Sequence, residues 1–207
     1  MRFKLSCLTA LLLAACSTPS DAAKPVPTGP VIVNGWYAGP WLGTVNYSPG
    51  ITLQPLAGGV VQFDIPTLPG QVDALVKPVN VLPQSMSVAY QLSAPVYYST
   101  QPGGPPIISV AFQRRGDNWS GKNQYEYYRW YAVTKAELAP GSNIFSVDFT
   151  SLDWFDVWGQ PASAHQAEFN AARADPQAVM ITFGCDPCGG RSHGVYGPAH
   201  FNLLGAN

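Results

Sequence analysis

From residue 31 onward the hydrophobic positions fall in short runs broken by turn residues, and within several runs they alternate with polar ones. Between 59 and 66, Val61, Phe63 and Ile65 stand against Val60, Gln62 and Asp64, the period of two that a strand with one buried face requires. Residues 85–92 repeat the pattern more cleanly, with Met86, Val88, Tyr90 and Leu92 set against Ser85, Ser87, Ala89 and Gln91. Gly39-Pro40, Ser48-Pro49-Gly50, Ala57-Gly58-Gly59, Leu68-Pro69-Gly70 and Leu82-Pro83 punctuate the runs as turns, so this half predicts many short strands.

The second half predicts a strand over 108–115 that ends in Arg114 and Arg115 and runs into the polar loop 116–121. A strand over 125–131 follows, aromatic on both faces, and then one over 143–149 with Phe145, Val147 and Phe149 on one side. These three are expected to be successive members of one sheet. The period then changes: Ala164, Ala167, Glu168, Ala171, Ala172 and Ala174 form a helix-prone stretch that stops before Pro176. Strands over 179–183 and 200–204 close the chain. The whole pattern predicts an all-β fold, a jelly-roll β-sandwich with one short helix.

The N-terminus reads differently. Arg2 and Lys4 precede the apolar run Leu11-Leu12-Leu13-Ala14-Ala15, too short to span a bilayer as a stable helix. The tetrad Leu13-Ala14-Ala15-Cys16 resembles the lipobox of bacterial lipoproteins. That resemblance implies a signal peptide over 1–15, acylation of Cys16 with palmitate-type chains, and a membrane anchor. An ordinary signal with a chance cysteine, or a buried N-terminal helix, is the alternative. Ser17 after the cysteine implies outer-membrane sorting, with the domain on the periplasmic side or at the surface. Residues 16–30 are proline-rich without apolar period and predict a flexible tether, leaving one domain over 31–207.

Charged residues make up only 11% of the chain and aromatics 12%, with 20 Gly and 20 Pro, which favours strands and turns over surface helices. Without Arg2 and Lys4, nine basic residues face twelve acidic ones, so no basic face offers itself to nucleic acid.

The run Phe112-Gln113-Arg114-Arg115-Gly116-Asp117-Asn118-Trp119, the aromatic segment Tyr125 to Tyr131, the short helix, Ile181-Thr182-Phe183-Gly184 and the final strand together resemble a galactose-binding-like jelly roll. That is the fold of many bacterial carbohydrate-binding modules and discoidin-type domains. The resemblance covers residues 85–207 and implies a fold; no binding residue carries over from it position by position.

Aromatic residues between 119 and 158 are interleaved with Arg114, Arg115, Asp117, Glu126 and Arg129. A pyranose lays its C–H face on an aromatic plane while its hydroxyls engage planar donors and acceptors. The candidate ligand-binding residues are therefore Trp119, Arg114, Arg115, Asp117, Tyr127 and Arg129, with Trp119 in its polar loop the expected exposed platform. Core packing competes for the 125–131 aromatics, and a salt bridge to Asp117 or Glu126 competes for the arginine pair. Trp154 and Trp158 are expected to be buried under the adjacent helix.

Cys185 and Cys188 predict a disulfide in an exported chain; a zinc site with His193 and His200, or a redox pair, competes. Asp117, Glu126, Asp148, Asp153 and Asp156 could furnish a glycoside hydrolase with an acid and a base, but no nucleophile turn or metal helix stands in the sequence. No cofactor is expected; a structural calcium is compatible with jelly rolls of this kind, though no acidic cluster demands one. The leading expectation is a non-catalytic glycan-binding lipoprotein. An envelope carbohydrate-active hydrolase, or a structural lipoprotein docking an envelope protein, are the alternatives.

Overall fold

The computed structural model describes residues 30–42, 45–98, 104–185 and 194–207. The signal peptide over 1–15, Cys16 and the tether as far as 29, the Cys185 side chain, Cys188 and His193 lie outside the described residues.

Alternating sequences close into two antiparallel sheets. The six-stranded sheet runs, edge to edge, Tyr37–Gly39 (β1), Ala74–Pro78 (β6), Pro176–Cys185 (β13), Pro106–Arg114 (β9), Arg129–Glu137 (β10) and Trp154–Phe155 (β12). The five-stranded sheet runs Gly141–Asp148 (β11), Ser85–Leu92 (β7), Ala199–Ala206 (β15), Val61–Ile65 (β5) and Gln54–Pro55 (β4). Two small ribbons pair Trp41–Leu42 (β2) with Val45–Asn46 (β3), and Tyr97–Tyr98 (β8) with Val195–Tyr196 (β14). The α-helix Gln166–Ala174 (α1) leads into β13 and buries Phe169 and Ala172.

Counting only the eight long strands in chain order, from β5 to β15, one sheet reads second, seventh, fourth, fifth and the other sixth, third, eighth, first. Every pairing among them is antiparallel. This interleaving of early and late strands is the double Greek key of a jelly roll. The fold is thus the all-β sandwich with one short helix that the pattern predicts.

Inward side chains of both sheets meet in one core, with two aromatic nests. Phe63 and Tyr90 flank Phe201 at centroid distances of 5.1 and 5.5 Å, with Phe183 edge-on at 5.1 Å from Phe201. Under α1, Phe112 sits 5.1 Å from Trp154 and 5.8 Å from Phe169, both edge-on, the geometry that ring quadrupoles favour.

Two expectations are corrected. Residues 123–127 form a 3-10 helix, and the strand after it starts only at Arg129. Asn123, at φ +55°, opens a turn just before the aromatics, and the Tyr125 N–H donating to the Lys122 carbonyl at 3.2 Å and the Tyr128 N–H donating to the Tyr125 carbonyl at 3.5 Å carry that turn through the first half of the expected strand. Second, the strands over 108–115 and 143–149 belong to different sheets: β9 pairs with β10, while β11 crosses to pair with β7. Leu138, buried in the core with its N–H donating to the Pro106 carbonyl at 2.8 Å, marks where the chain turns from one sheet to the other.

Candidate functional site

One face of the six-stranded sheet belongs to the core; the other would ordinarily be polar. Here it is not. Ala74 and Val76 on β6, Ala178 and Met180 on β13, Ala111 on β9, Tyr131 on β10 and Val157 beyond β12 form a second apolar cluster, with Tyr37, Trp119 and Phe155 packed against it. Tyr131 and Phe155 are cross-strand partners with rings nearly parallel at 5.8 Å. Thr182 on the same sheet is buried and its hydroxyl has no hydrogen-bond partner.

Two loops border this face, and the same local device builds both. In Asp117-Asn118-Trp119, the Asp117 Oδ1 accepts the Trp119 backbone N–H at 3.0 Å. In Asp156-Val157-Trp158, the Asp156 Oδ1 accepts the Trp158 N–H at 2.8 Å and the Gln160 N–H at 2.9 Å. Each is an Asx turn, in which a short carboxylate replaces a backbone acceptor and brings the residue two positions on to the tip. In the second, Gly159 supplies the positive φ of +83° that closes the turn.

The loops are stitched to each other. Trp158 Nε1 donates to the Gly121 carbonyl at 2.8 Å, and Arg129 Nη2 donates to the Trp119 carbonyl at 3.0 Å. Gly121 is at φ +59°, and a Cβ there would lie 3.1 Å from Val157, so glycine permits the approach. Arg129 lies 4.7 Å from the Trp119 ring centre and forms an ion pair with Asp117 at 2.8 Å, with the carboxylate side chain fully buried. Gln113 Nε2 donates to the same carboxylate at 2.9 Å. Trp119 itself holds φ +65°, a strained conformation for a bulky aromatic that its packing and hydrogen bonds must maintain.

The structure therefore brings together Trp119, Asp117 and Arg129 from the predicted set and separates the other three. Arg114 shares the inward parity of Phe112 and lies 4.8 Å from the Tyr128 ring. Arg115 turns to Asp175 at 3.1 Å and to Asn80 at 3.2 Å, so its ion pair is with neither Asp117 nor Glu126. Tyr127 stacks 4.7 Å from His165 and 6.5 Å from Trp130; burial first, then the negative charges of Glu126, Asp156 and Glu168, push its hydroxyl pKa up. Trp119 is half-buried rather than fully exposed.

Trp154 is buried beneath α1 as expected, but Trp158 is 58% exposed. A spacing of four gives one face in either a helix or a strand, so spacing alone puts the two tryptophans together. What separates them is the Asp156-x-Trp158-Gly159 turn, a repeat of the Asp117-x-Trp119 arrangement. Asp156 is also buried, and its Oδ2 has no hydrogen-bond partner. His200 pairs with Asp64 across β15 and β5. Among the described residues no group of three or more His, Cys, Asp or Glu could hold a metal ion, and no helix is long and apolar enough to cross a membrane.

No protein-family model and no curated protein matches the chain. A solved structure described as "CBM4 structure and function" aligns at 13% identity over 88% of this chain and 92% of that one, with a TM-score of 0.39. That likeness is too distant to bear on function. The strand order alone defines the chain's class, an all-β jelly-roll sandwich.

Proposed function

We propose that this chain is a non-catalytic glycan-binding lipoprotein whose sugar-contacting surface is the pair of Asp-x-Trp loops at the edge of the six-stranded sheet. The observation that carries the reading is Trp158: its indole N–H is bonded to Gly121, its backbone is fixed by Asp156, and its ring is still 58% exposed. An ordered, exposed aromatic plane suits the C–H face of a sugar, at little ordering cost on binding. Gln113, Asp117 and Arg129, their side chains largely buried and paired with one another, brace Trp119 from behind. Asp117 is neutralised by Arg129, and Asp156 Oδ1 is held by two backbone N–H groups, which favours binding over hydrolysis.

In this reading the chain is exported, cleaved before Cys16, acylated there and tethered to the outer membrane by residues 16–30, with Cys185 and Cys188 oxidised. The tetrad Leu13-Ala14-Ala15-Cys16 supports the anchor. Palmitate labelling tests it: wild-type protein takes up label and Cys16→Ser does not, and labelling of both would refute it. Free-thiol titration of denatured exported protein is expected to find neither Cys185 nor Cys188 reactive; two reactive thiols would overturn the bridge. A glycan-array screen of the full chain tests the binding, with tryptophan fluorescence in solution. A saturable hit that shifts the emission supports the reading; a blank on folded protein transfers the exposed Trp158 ring to the docking of an envelope protein.

A further inference from the structure

An edge strand presents unpaired backbone N–H and C=O groups to any chain able to pair with them, and proteins blunt such edges with short strands, proline, bulges or lysine. Three of the four edges of the two large sheets are blunted in this way. β1 has three residues and runs into Pro40, β4 has two and ends on Pro55, and β12 has two, with Phe155 bridged to Pro161. The fourth edge, β11, is open. Its eight residues match β7 one for one without a bulge, a run of about 27 Å at about 3.4 Å per residue. It holds no lysine, arginine or proline, and its one charge, Asp148, stands at its end, where the carboxylate accepts the Thr150 N–H and hydroxyl at 2.6 Å. Among the described residues no backbone group outside β7 bonds to the backbone of Ser142 through Val147.

The side chains of this strand complement their own copy. Ser142, Ile144 and Ser146 face water, while Val147 is buried and Asn143 and Phe145 are half-buried toward the core. Ile144, in the middle, is 70% exposed. A two-fold axis through Ile144 sets a second β11 antiparallel beside the first. Ile144 then meets Ile144 of the second copy, Ser142 meets its Ser146 and Asn143 meets its Phe145, each pair on a common face. An axis at Phe145 would set Ile144 against Ser146 and Asp148 against Ser142; one at Asn143 would set Ile144 against Ser142 and Phe145 against Gly141. The axis at Ile144 alone pairs the exposed apolar side chain with its own kind, and it extends the Ser87–Ser146 hydroxyl pair, 2.7 Å apart, by a third serine. No charge between Gly141 and Val147 repels the second copy.

We infer that β11 is a homodimerisation edge, through which two copies of this chain join antiparallel about a two-fold axis at Ile144 and merge their five-stranded sheets into one. The inference stands on register, composition and exposure, and is independent of the glycan reading. The contact is isologous, the commonest way in which identical chains associate. One strand per copy is a contact smaller than the roughly 1,200 Å² of a standard interface, so the dimer is weak and forms as concentration rises.

Sedimentation equilibrium of the full chain from micromolar to millimolar concentration is expected to show monomer passing into dimer with a Kd on the order of 10–100 µM. Ile144→Lys sets like charges face to face on the axis and is expected to weaken association roughly tenfold or more, at unchanged melting because the side chain it replaces is exposed. A wild type that stays monomeric at millimolar concentration, or a variant that associates as wild type does, overturns the proposal. Single thiols oxidised with copper phenanthroline test the register. Ile144→Cys brings two sulfurs together on Cα atoms about 5 Å apart and is expected to cross-link. In Ser142→Cys and in Ser146→Cys the two thiols lie four residues apart along the paired strands, about 13 Å, and no cross-link above the wild-type background is expected. Cross-linking that is absent at 144, or no stronger there than at 142 and 146, overturns the assignment.

Discussion

Asp117 and Arg129 form an ion pair at 2.8 Å beside the Trp119 ring, the carboxylate wholly shielded from water and the guanidinium nearly so. Removing one member leaves the other charge buried without its partner, which costs about 3 kcal/mol. Arg129→Ala is expected to lose about that much in urea unfolding, because it also strips the Trp119 ring and carbonyl of their contact. Adding Asp117→Asn to Arg129→Ala removes the orphaned charge and is expected to recover part of the loss. Additive losses in the double variant would show that the pair does not couple.

The two site tryptophans are expected to behave differently on truncation. Trp158→Ala removes one hydrogen bond and mostly exposed ring area, so its cost is about 1 kcal/mol or less, while glycan-induced fluorescence change is abolished. Trp119→Ala forfeits the Arg129 contact and packing on the apolar face, and is expected to lower stability by about 1–2 kcal/mol. Calorimetry of the two variants beside wild type checks the contrast; a larger loss in Trp158→Ala would mean that its ring is structural.

Much of this architecture was legible in the chain because a period of two reports which side of a strand faces the core. β7 runs over 85–92, where the alternation is uninterrupted, and α1 ends at Ala174 shortly before Pro176. The same period says nothing of which strand lies alongside, so the crossing of β11 to the other sheet left no mark in 143–149; it is fixed by the buried corner at Leu138. The site was half legible for a related reason. Composition drew attention to residues 112–131, but the partners of Arg114 and Arg115 come from Tyr128, Asn80 and Asp175, the last two far along the chain. Trp158 required reading Asp156 and Gly159 as a turn rather than counting the distance to Trp154.

Tyr90 gives a pH dependence with a definite sign. Its ring is buried and its hydroxyl donates to the Glu137 carbonyl at 2.9 Å; burial, and secondarily the charge of Glu137, push its pKa from 10.0 up to about 12. The unfolded chain therefore releases this proton at lower pH than the folded one. The stability contribution is complete below pH 10 and is lost as pH rises from about 10 through 12. Denaturation midpoints measured from pH 8 to 12 are expected to fall over that window, and less steeply in Tyr90→Phe, which loses about 1 kcal/mol at pH 8 with its hydrogen bond. An equal decline in both proteins would assign the effect to other groups.

Ser48 ties the far edge of the six-stranded sheet together through one oxygen. It is fully buried; its hydroxyl donates to the Gly39 carbonyl and accepts the N–H groups of Asp73 at 2.9 Å and Ala74 at 3.1 Å. No methyl group can replace any of these bonds, and buried polar groups deprived of a partner carry their full desolvation penalty. Ser48→Ala is expected to cost about 2–3 kcal/mol, with amide exchange accelerated first at Asp73 and Ala74. Because β1 lies at one edge of this sheet and β12 at the other, the change should leave the tryptophan loops and their ligand response intact below the unfolding transition. Loss of binding at unchanged fold would mean that the two edges are coupled across the apolar face of Ala74, Ala178, Ala111 and Tyr131, so that this face moves as one body with the site.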